Sequence, residues 1–139
     1  MLHLPDELAA AVLIAAGRSY PSECCGLIEG IDTLDGWRAL AVHEAANLAE
    51  EPSRRFLIDP EVQFRLLRSL RGSERRIIGC FHSHPDGPPE PSATDAASAC
   101  ETDFLWLIAG GALASGLTLR AYVVAEEGGF SAVDLRDDG

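Results

Sequence analysis

The feature of the sequence that most restricts the fold is an apolar segment that runs directly into a proline-rich stretch. Arg76 to Phe81 is a compact apolar run with the length of a strand, and it ends at His82. Asp86 to Pro91 contains three prolines and a glycine, so it fits neither a helix nor a central strand and should form a loop. The sequence therefore predicts a strand whose C-terminal end opens into a stiff loop.

The rest of the chain reads as helices and strands without an internal repeat or a low-complexity linker. Apolar spacing and capping residues predict helices at about 6 to 18, 59 to 71 and 92 to 100. The second of these should begin with Asp59 as N-cap and Pro60 at its first position, and it should face inward through Val62, Leu66, Leu67 and Leu70. Bounded apolar runs predict strands at 25–30, 37–43, 76–81, 104–109, 117–125 and 130–135, with a hairpin-like turn at 32–36. We therefore predict an α+β fold, a sheet flanked by helices, in one domain spanning residues 1–139.

Charge excludes one class of partner. The net charge of -11 argues against binding to nucleic acid, which draws its affinity from clustered basic residues. Seven arginines stand against three acidic residues between positions 54 and 76, so this stretch carries +4 and the rest of the chain -15. The seven are Arg54, Arg55, Arg65, Arg68, Arg71, Arg75 and Arg76. A solvated helix face and a docking patch both fit this pattern.

Nothing in the sequence predicts a membrane segment or a secretion signal. The longest apolar stretch, Phe104 to Leu119, contains three glycines and is shorter than the roughly 20 residues of a membrane span. Pro5, Asp6 and Glu7 would interrupt a signal peptide, so we expect a cytoplasmic protein. The four cysteines include no C-x-x-C pair, and we expect buried reduced thiols.

The residues after the predicted strand carry the chemistry. His82 and His84 are two apart on extended backbone, so their imidazoles project to the same side and can converge on one point. Asp95, brought back by the proline-stiffened loop, would supply a third ligand. Zinc with three protein ligands keeps its fourth position for water, which is the catalytic arrangement.

Each part of this pattern also has a structural interpretation. Two histidines at a strand end are often ordinary polar packing. Ser92 and Asp95 have the S-x-x-[DE] spacing of a helix capping box. Capping does not exclude ligation, because a helix start can aim its aspartate at a metal. The two histidines, the serine and the aspartate around one loop together favour a Zn²⁺ site.

These residues resemble the signature of the JAMM or MPN-type metallopeptidases. In the segment that starts with His82-Ser-His84-Pro85, seven residues separate His84 from Ser92 and two more separate Ser92 from Asp95, which is the spacing of that family. Upstream, Glu23-Cys-Cys-Gly26 resembles the E-x-C-G segment of the family at a helix-to-strand junction. The run with Asn47, Pro52, Arg55-Phe56 and Asp59-Pro60 resembles what short bacterial members carry before the histidines.

The resemblance implies a fold, a cofactor and a reaction. It implies a curved mixed sheet between helices, like that of cytidine deaminase, with one zinc at the sheet edge held by His82, His84 and Asp95. Glu23 would be the general acid and base, and Ser92 would donate its hydroxyl to the developing oxyanion. The implied reaction is hydrolysis of an amide or isopeptide bond after the C-terminal glycine of a ubiquitin-like or sulfur-carrier protein. We expect the tail of that substrate to lie alongside an exposed strand.

Other functions remain open at this stage. A non-catalytic MPN scaffold would lose metal ligands, whereas all five motif residues are present here. A general small-peptide metallopeptidase would share the site and differ only in substrate. A nucleobase deaminase needs H-x-E and P-C-x-x-C, which this sequence lacks. The sequence leaves open the substrate, the oligomeric state and the metal loaded in the cell, as well as any role of Cys24 and Cys25 beyond that of small buried hydrophobes.

Overall fold

The computed structural model describes residues 1–98 and 101–137. In this part of the chain the helices are α1 (Asp6–Ser19), α2 (Pro60–Ser69) and α3 (Ala93–Ser98). The strands are β1 (Leu2–His3), β2 (Cys25–Thr33), β3 (Gly36–Ala45), β4 (Arg76–Pro85), β5 (Leu105–Gly111), β6 (Thr118–Val124), β7 (Phe130–Val133) and β8 (Leu135–Arg136).

The eight strands form one mixed sheet in the order β7-β6-β5-β4-β2-β3-β1-β8. The pairs β4–β5, β1–β3 and β1–β8 are parallel, and the others are antiparallel. The predicted α+β class with a mixed sheet is therefore confirmed. β4 lies in the middle, with β2 on one side and β5 on the other, so its C-terminal end opens at the centre of the sheet.

A separate hydrophobic cluster covers each face of the sheet. On one face, Val12, Ala15 and Ala16 of α1 pack with buried residues such as Phe81 and Leu107. On the other face, Leu66 of α2 packs with a cluster that joins several strands: Leu27, Cys80, Trp106, Ile108, Tyr122 and Val124. The two helices thus flank the sheet and leave the C-terminal end of β4 accessible beside α2.

A β-bulge at Ile78 controls which way β4 points its side chains. Ile28 of β2 pairs with Gly79 and Glu29 pairs with Ile77, so Ile78 is an extra residue in β4. Ile78 and Phe81 pack in the α1 cluster, while Ile77 and Cys80 pack in the α2 cluster. The residues that continue the alternation from Cys80, which are His82 and His84, therefore face the α2 side.

The second helix follows its predicted capping, but one of its predicted inward residues is wrong. Asp59 caps α2 by accepting a hydrogen bond from the Glu61 N–H at 3.0 Å, and Pro60 is the first helical residue. Leu66 is buried and Val62 and Leu70 are half-buried against the sheet. Leu67 is 51% exposed, because it lies beyond the edge of the apolar stripe on this short helix.

Two further differences separate the predicted and observed elements. No strand is predicted at β1, a two-residue strand that pairs with β3 and β8. The last predicted strand, 130–135, is divided into β7 and β8, which lie at opposite ends of the sheet order. The predicted C-terminal end of the third helix, near Cys100, lies outside the described residues. Within the described ranges no helix is both long and apolar enough to cross a membrane.

Two glycines give opposite predictions for stability. A Cβ at Gly79 would lie 2.3 Å from the Leu105 carbonyl oxygen, so Gly79→Ala should destabilise the protein by about 1–3 kcal/mol through overpacking. A Cβ at Gly17 in α1 would have Leu113 Cδ2 at 3.9 Å as its nearest neighbour. Gly17→Ala should therefore stabilise the protein by about 0.5–1 kcal/mol through helix propensity. Urea unfolding of both variants measures this, and equal effects at the two sites would contradict the packing of β4 against β5.

Candidate metal centre and active site

The two histidines project from the end of β4 into a partly aromatic surrounding. His82 is fully buried, and its ring stacks on Phe56 with centroids 4.3 Å apart and planes 20° apart. Trp106 of β5 meets the same imidazole edge-on at 5.6 Å. His84 follows on the same face, with its ring 4.8 Å from that of His82. Packing therefore fixes the direction in which His82 presents its Nε2 atom.

Asp95 reaches the histidines from the first turn of α3, and Ser92 caps that helix. The Ser92 Oγ accepts a hydrogen bond from the Asp95 N–H at 3.0 Å, and Asp95 Oδ2 accepts one from the Ser92 N–H at 2.9 Å. This reciprocal pair is a capping box with an aspartate in place of the usual glutamate. The same Oδ2 atom lies 3.2 Å from His82 Nε2 and 3.1 Å from His84 Nε2. The two interpretations of this segment are thus compatible.

Three ligand atoms converge in a nearly equilateral triangle. His82 Nε2 and His84 Nε2 are 3.0 Å apart, and each lies within 3.2 Å of Asp95 Oδ2. Hydrogen bonds along all three sides would need several protons or a bifurcated one, whereas one cation can contact all three atoms at once. Zinc bonds of about 2.0–2.2 Å at tetrahedral angles would separate ligand atoms by roughly 3.3–3.5 Å, close to these distances. The donor set of two imidazoles and one carboxylate fits zinc.

A second hydrogen bond orients His84. Its Nδ1 lies 3.0 Å from the Pro88 carbonyl oxygen, which can only accept, so Nδ1 carries a proton and donates it. In the singly protonated ring this leaves the Nε2 lone pair directed toward His82 and Asp95. A partner on the remote nitrogen is the usual support of a metal-binding histidine. Pro88 belongs to the proline-rich loop, so the loop contributes to the site through its backbone.

The charges of the three groups also suit a cation. Burial lowers the pKa of His82, which keeps this imidazole neutral and able to coordinate. Burial opposes ionisation of Asp95, but its hydrogen bonds with His82 and His84 outweigh that effect and hold its pKa below the usual range. Burial likewise lowers the pKa of His84, and the contacts with Asp95 and the Pro88 carbonyl outweigh it, so the net shift is upward. The site thus presents a carboxylate that is charged at neutral pH.

Glu23 lies beside this triangle, immediately before β2. It is 4% exposed, and its Oε1 atom has no hydrogen-bond partner within residues 1–98 and 101–137. Burial raises its pKa to about 7, opposed by the charge of His84 and reinforced by that of Asp95. A buried carboxyl with a pKa near neutrality and an unsatisfied oxygen is suited to accept and release a proton.

Glu23 is also close enough to be considered as a ligand. One donor atom each from Glu23, His82 and His84 lie within 4.8 Å of one another, a looser group than the triangle with Asp95. The Asp95 oxygen is within 3.2 Å of both imidazole nitrogens. The shorter distances favour Asp95 as the carboxylate ligand and leave Glu23 to act on whatever occupies the remaining position.

An open cleft gives access to these groups. Its volume is about 330 Å³. Its walls come from the proline-rich loop after β4 and from the loop before α2. Glu23, His84 and Ser92 face it, together with Ser53 and Arg54 from the opposite side. Because the Ser92 Oγ uses a lone pair to accept the Asp95 N–H, its own hydrogen remains available for a group in the cleft.

The structure brings together all five residues singled out from the sequence: Glu23, His82, His84, Ser92 and Asp95. The expectation that a substrate tail lies alongside an exposed strand stays a prediction. β4 has no free edge as far as His82, because it pairs with β2 to that residue and with β5 as far as Pro85. Three of the cysteines, Cys24, Cys25 and Cys80, are buried free thiols, and Cys100 lies outside the described residues.

Sequence reasoning missed two supports of the site. Ser83, between the histidines, points to the opposite face, where its Oγ accepts the Cys24 N–H at 2.8 Å and so ties the Glu23 segment to β4. Phe56 stacks on His82. Residues 56–58 form an apolar run in the sequence, but no local pattern predicts that Phe56 contacts a residue as far along the chain as His82.

The chain is similar to several known proteins. A family described as prokaryotic homologs of the JAB domain matches residues 5–124. A desampylase of Haloferax volcanii is 34% identical over 103 residues, which cover 74% of this chain and 73% of that protein. A CysO-cysteine peptidase of Mycobacterium tuberculosis is 26% identical over 103 residues, 74% of this chain and 68% of that protein. The solution structure of a protein from Desulfitobacterium hafniense has a TM-score of 0.81 at 27% identity, covering 99% and 94% of the two chains.

Metal analysis of variants tests the ligand assignment. The purified protein should bind about one zinc per chain, and His84→Ala and Asp95→Asn should lose it. Asp95→Asn retains an oxygen that can accept the Ser92 N–H, so the start of α3 should survive. Glu23→Gln is the matched control and should keep its zinc.

Elemental analysis together with circular dichroism separates loss of metal from loss of fold. Full zinc retention after removal of both His82 and His84 would exclude this site. Loss of zinc in Glu23→Gln with retention in Asp95→Asn would make Glu23 the carboxylate ligand.

Proposed function

The chain belongs to the prokaryotic homologues of the JAB domain, and from that premise we propose that it is a zinc-dependent peptidase that processes the C-terminus of a ubiquitin-like or sulfur-carrier protein. The bond cut is the amide or isopeptide bond after the terminal glycine of the carrier. The observation that carries the proposal is the convergence of His82 Nε2, His84 Nε2 and Asp95 Oδ2 in an open cleft, beside the Glu23 carboxyl, whose Oε1 atom has no hydrogen-bond partner among the described residues.

His82, His84 and Asp95 would hold the metal. When bound, zinc polarises a carbonyl oxygen and lowers the pKa of water from about 15.7 to near 7. The protein supplies the orientation: the Pro88 carbonyl fixes His84, the ring of Phe56 fixes His82, and the Ser92 N–H fixes Asp95. Two of these supports, Pro88 and Ser92, lie in the connection between β4 and α3, and Phe56 comes from the loop before α2.

Glu23 would move the proton. As water adds to the carbonyl carbon of the substrate, the Glu23 carboxylate takes a proton from that water. It passes the proton to the leaving nitrogen as the C–N bond breaks, so the products are a carboxylic acid and an amine. A pKa raised by burial to about 7 suits both halves of this transfer at neutral pH.

Ser92 would stabilise the charge that develops on the carbonyl oxygen. Its side chain faces the cleft, and its hydroxyl hydrogen is not consumed by capping. A donor of this kind typically contributes roughly 3 kcal/mol to the transition state. The serine would thus fix the start of α3 through its lone pair and serve the substrate through its proton.

The substrate class is supported by the two named relatives. One is called a desampylase and the other a CysO-cysteine peptidase. The matched regions span about three-quarters of this chain. Together with the resemblance to the JAMM family, this favours a protein carrier with an extended glycine-ended tail over a free peptide. Because β4 is paired on both sides as far as His82, the tail would enter the cleft between the proline-rich loop and the loop before α2.

Hydrolysis of a carrier adduct tests the proposal directly. The zinc-loaded protein should release the group attached after the final glycine of a carrier, as read by intact mass. Glu23→Gln should keep zinc and fold but lose at least about a hundredfold in turnover, the low end for a positioned acid-base group. Glu90→Gln, a carboxyl in the same cleft, is the matched control and should turn over normally.

Three results would contradict this assignment. Near wild-type turnover of Glu23→Gln would mean that another group handles the proton. Equal efficiency on the whole carrier and on a free peptide with the same tail would make the protein a general small-peptide hydrolase. Zinc-free protein with full activity would exclude the metal from the reaction.

The arginines on and after α2 give a separate prediction about docking. Arg65, Arg68 and Arg71 are exposed, in a chain whose net charge is -11. If this face holds an acidic carrier, activity should fall as salt rises, and reversal of the three charges should raise KM and leave kcat intact. Reversal of Arg120 and Arg136, exposed arginines outside this segment, is the control. A salt-independent KM would leave these arginines as a solvated helix face.

A further inference from the structure

The Asn47 side chain is the centre of a hydrogen-bond network in the loop that joins β3 to α2. Its Oδ1 accepts from the Ala49 N–H and the Leu57 N–H, each at 3.0 Å. Its Nδ2 lies 3.0 Å from the Arg55 carbonyl oxygen and 3.4 Å from that of Pro52. One amide thus holds the two arms of this loop together, and a backbone bridge between Asn47 and Ile58 closes it.

The same amide reaches outside its loop to Glu23. Asn47 Nδ2 donates to the Glu23 carbonyl oxygen at 3.1 Å, and the Glu23 N–H donates to the Pro52 carbonyl oxygen at 2.7 Å. Both backbone polar groups of Glu23 are therefore held by the loop that Asn47 organises. The ladder between β2 and β4 begins at Cys25, two residues after Glu23, so it sets the level of Glu23 along β4 while the loop holds its backbone groups.

Backbone anchoring matters here because the side chain has little anchoring of its own. The Oε1 atom of Glu23 is buried and has no hydrogen-bond partner within the described ranges. A carboxyl that must exchange protons cannot be held by permanent strong donors, so its position has to be set through its backbone. The loop that sets it also carries Phe56, which stacks on His82, and Ser53 and Arg54, which line the cleft.

We propose that Asn47 is a positioning residue for the proposed reaction, which holds the backbone of Glu23 so that its carboxyl faces the metal ligands. The proposal rests on the function proposed above and adds the residue through which Glu23 is placed. Asn47 is not a catalytic residue, because its contacts are all with backbone atoms of the chain itself. An asparagine suits this position because its amide both donates and accepts, and neither aspartate nor serine can make the same set of contacts.

The kinetic test uses Asn47→Asp, which keeps the oxygen that accepts from Ala49 and Leu57 and loses the donor to Glu23. We expect kcat to fall by about tenfold to a hundredfold with KM and zinc content unchanged, since a misplacement of about 1 Å can have an effect of that size. Asp59→Ala is the control, because it removes the N-cap of α2 and lowers stability without touching Glu23.

A double-mutant cycle distinguishes positioning from general damage. If Asn47 acts through Glu23, Asn47→Asp should cause little further loss in the residual activity of Glu23→Gln. The same fold-loss in both backgrounds would overturn the proposal, and so would wild-type kcat for Asn47→Asp. Asn47→Ser, a smaller change, serves in the cycle if the aspartate variant does not fold.

Amide hydrogen exchange tests the anchoring without any activity. In zinc-free wild-type protein, the Glu23 and Leu57 amides should exchange slowly although both lie outside the long strands. Asn47→Ser should speed their exchange more than that of amides in β4. Exchange of the wild-type Glu23 amide at the rate of exposed loop amides would overturn the proposal. If the wild-type protein cleaves no carrier adduct, the proposed function fails, and this measurement still reports whether Asn47 anchors Glu23.

Discussion

Cys25 of β2 lies opposite His82 of β4, and this register decides where the acid meets the imidazoles. The residue two positions before Cys25 is Glu23, which the antiparallel direction carries to the level of His84. Ser83 extends the contact past the end of the ladder through its Oγ and through its N–H, which donates to the Cys24 carbonyl oxygen at 3.2 Å. Because side chains alternate along a strand, a slip of one residue would turn Glu23 away from the histidines. Every other support of the site refines a position that this pairing has already set.

The site contains two buried carboxyl groups whose surroundings separate their properties. Asp95 accepts hydrogen bonds from the helix start and lies against both imidazoles, which holds its pKa below the usual range. Glu23 is buried with an unsatisfied oxygen, and burial raises its pKa to about 7. Two carboxyl groups whose pKa values lie far apart in one site suit the two proposed roles. One stays charged beside the metal ligands, and the other accepts and releases a proton. The contrast arises because Asp95 accepts a hydrogen bond from the Ser92 N–H, whereas Glu23 Oε1 has no donor among the described residues.

The sequence predicted the parts of this site that depend on local spacing. His82 and His84 two apart on a strand, and Ser92 and Asp95 three apart at a helix start, are patterns of local geometry, and the structure has both. Relations between distant segments were not predictable in the same way. The bulge at Ile78 interrupts the regular alternation of side chains along β4. Asn47 joins residues from three separate segments. Leu67 was misassigned because a ten-residue helix buries a narrower stripe than its apolar content suggests.

The reciprocal hydrogen bonds of Ser92 and Asp95 have a consequence for how the protein would handle its ion. Asp95 is fixed by the start of a helix, and His84 by a carbonyl of the proline-rich loop, so the ligands take their places through the polypeptide. Many small metal domains instead assemble only when the ion arrives, and chelators unfold them. Because the polypeptide already holds the ligands here, a chelator should remove bound zinc without unfolding the protein, and added zinc should bind again without a refolding step.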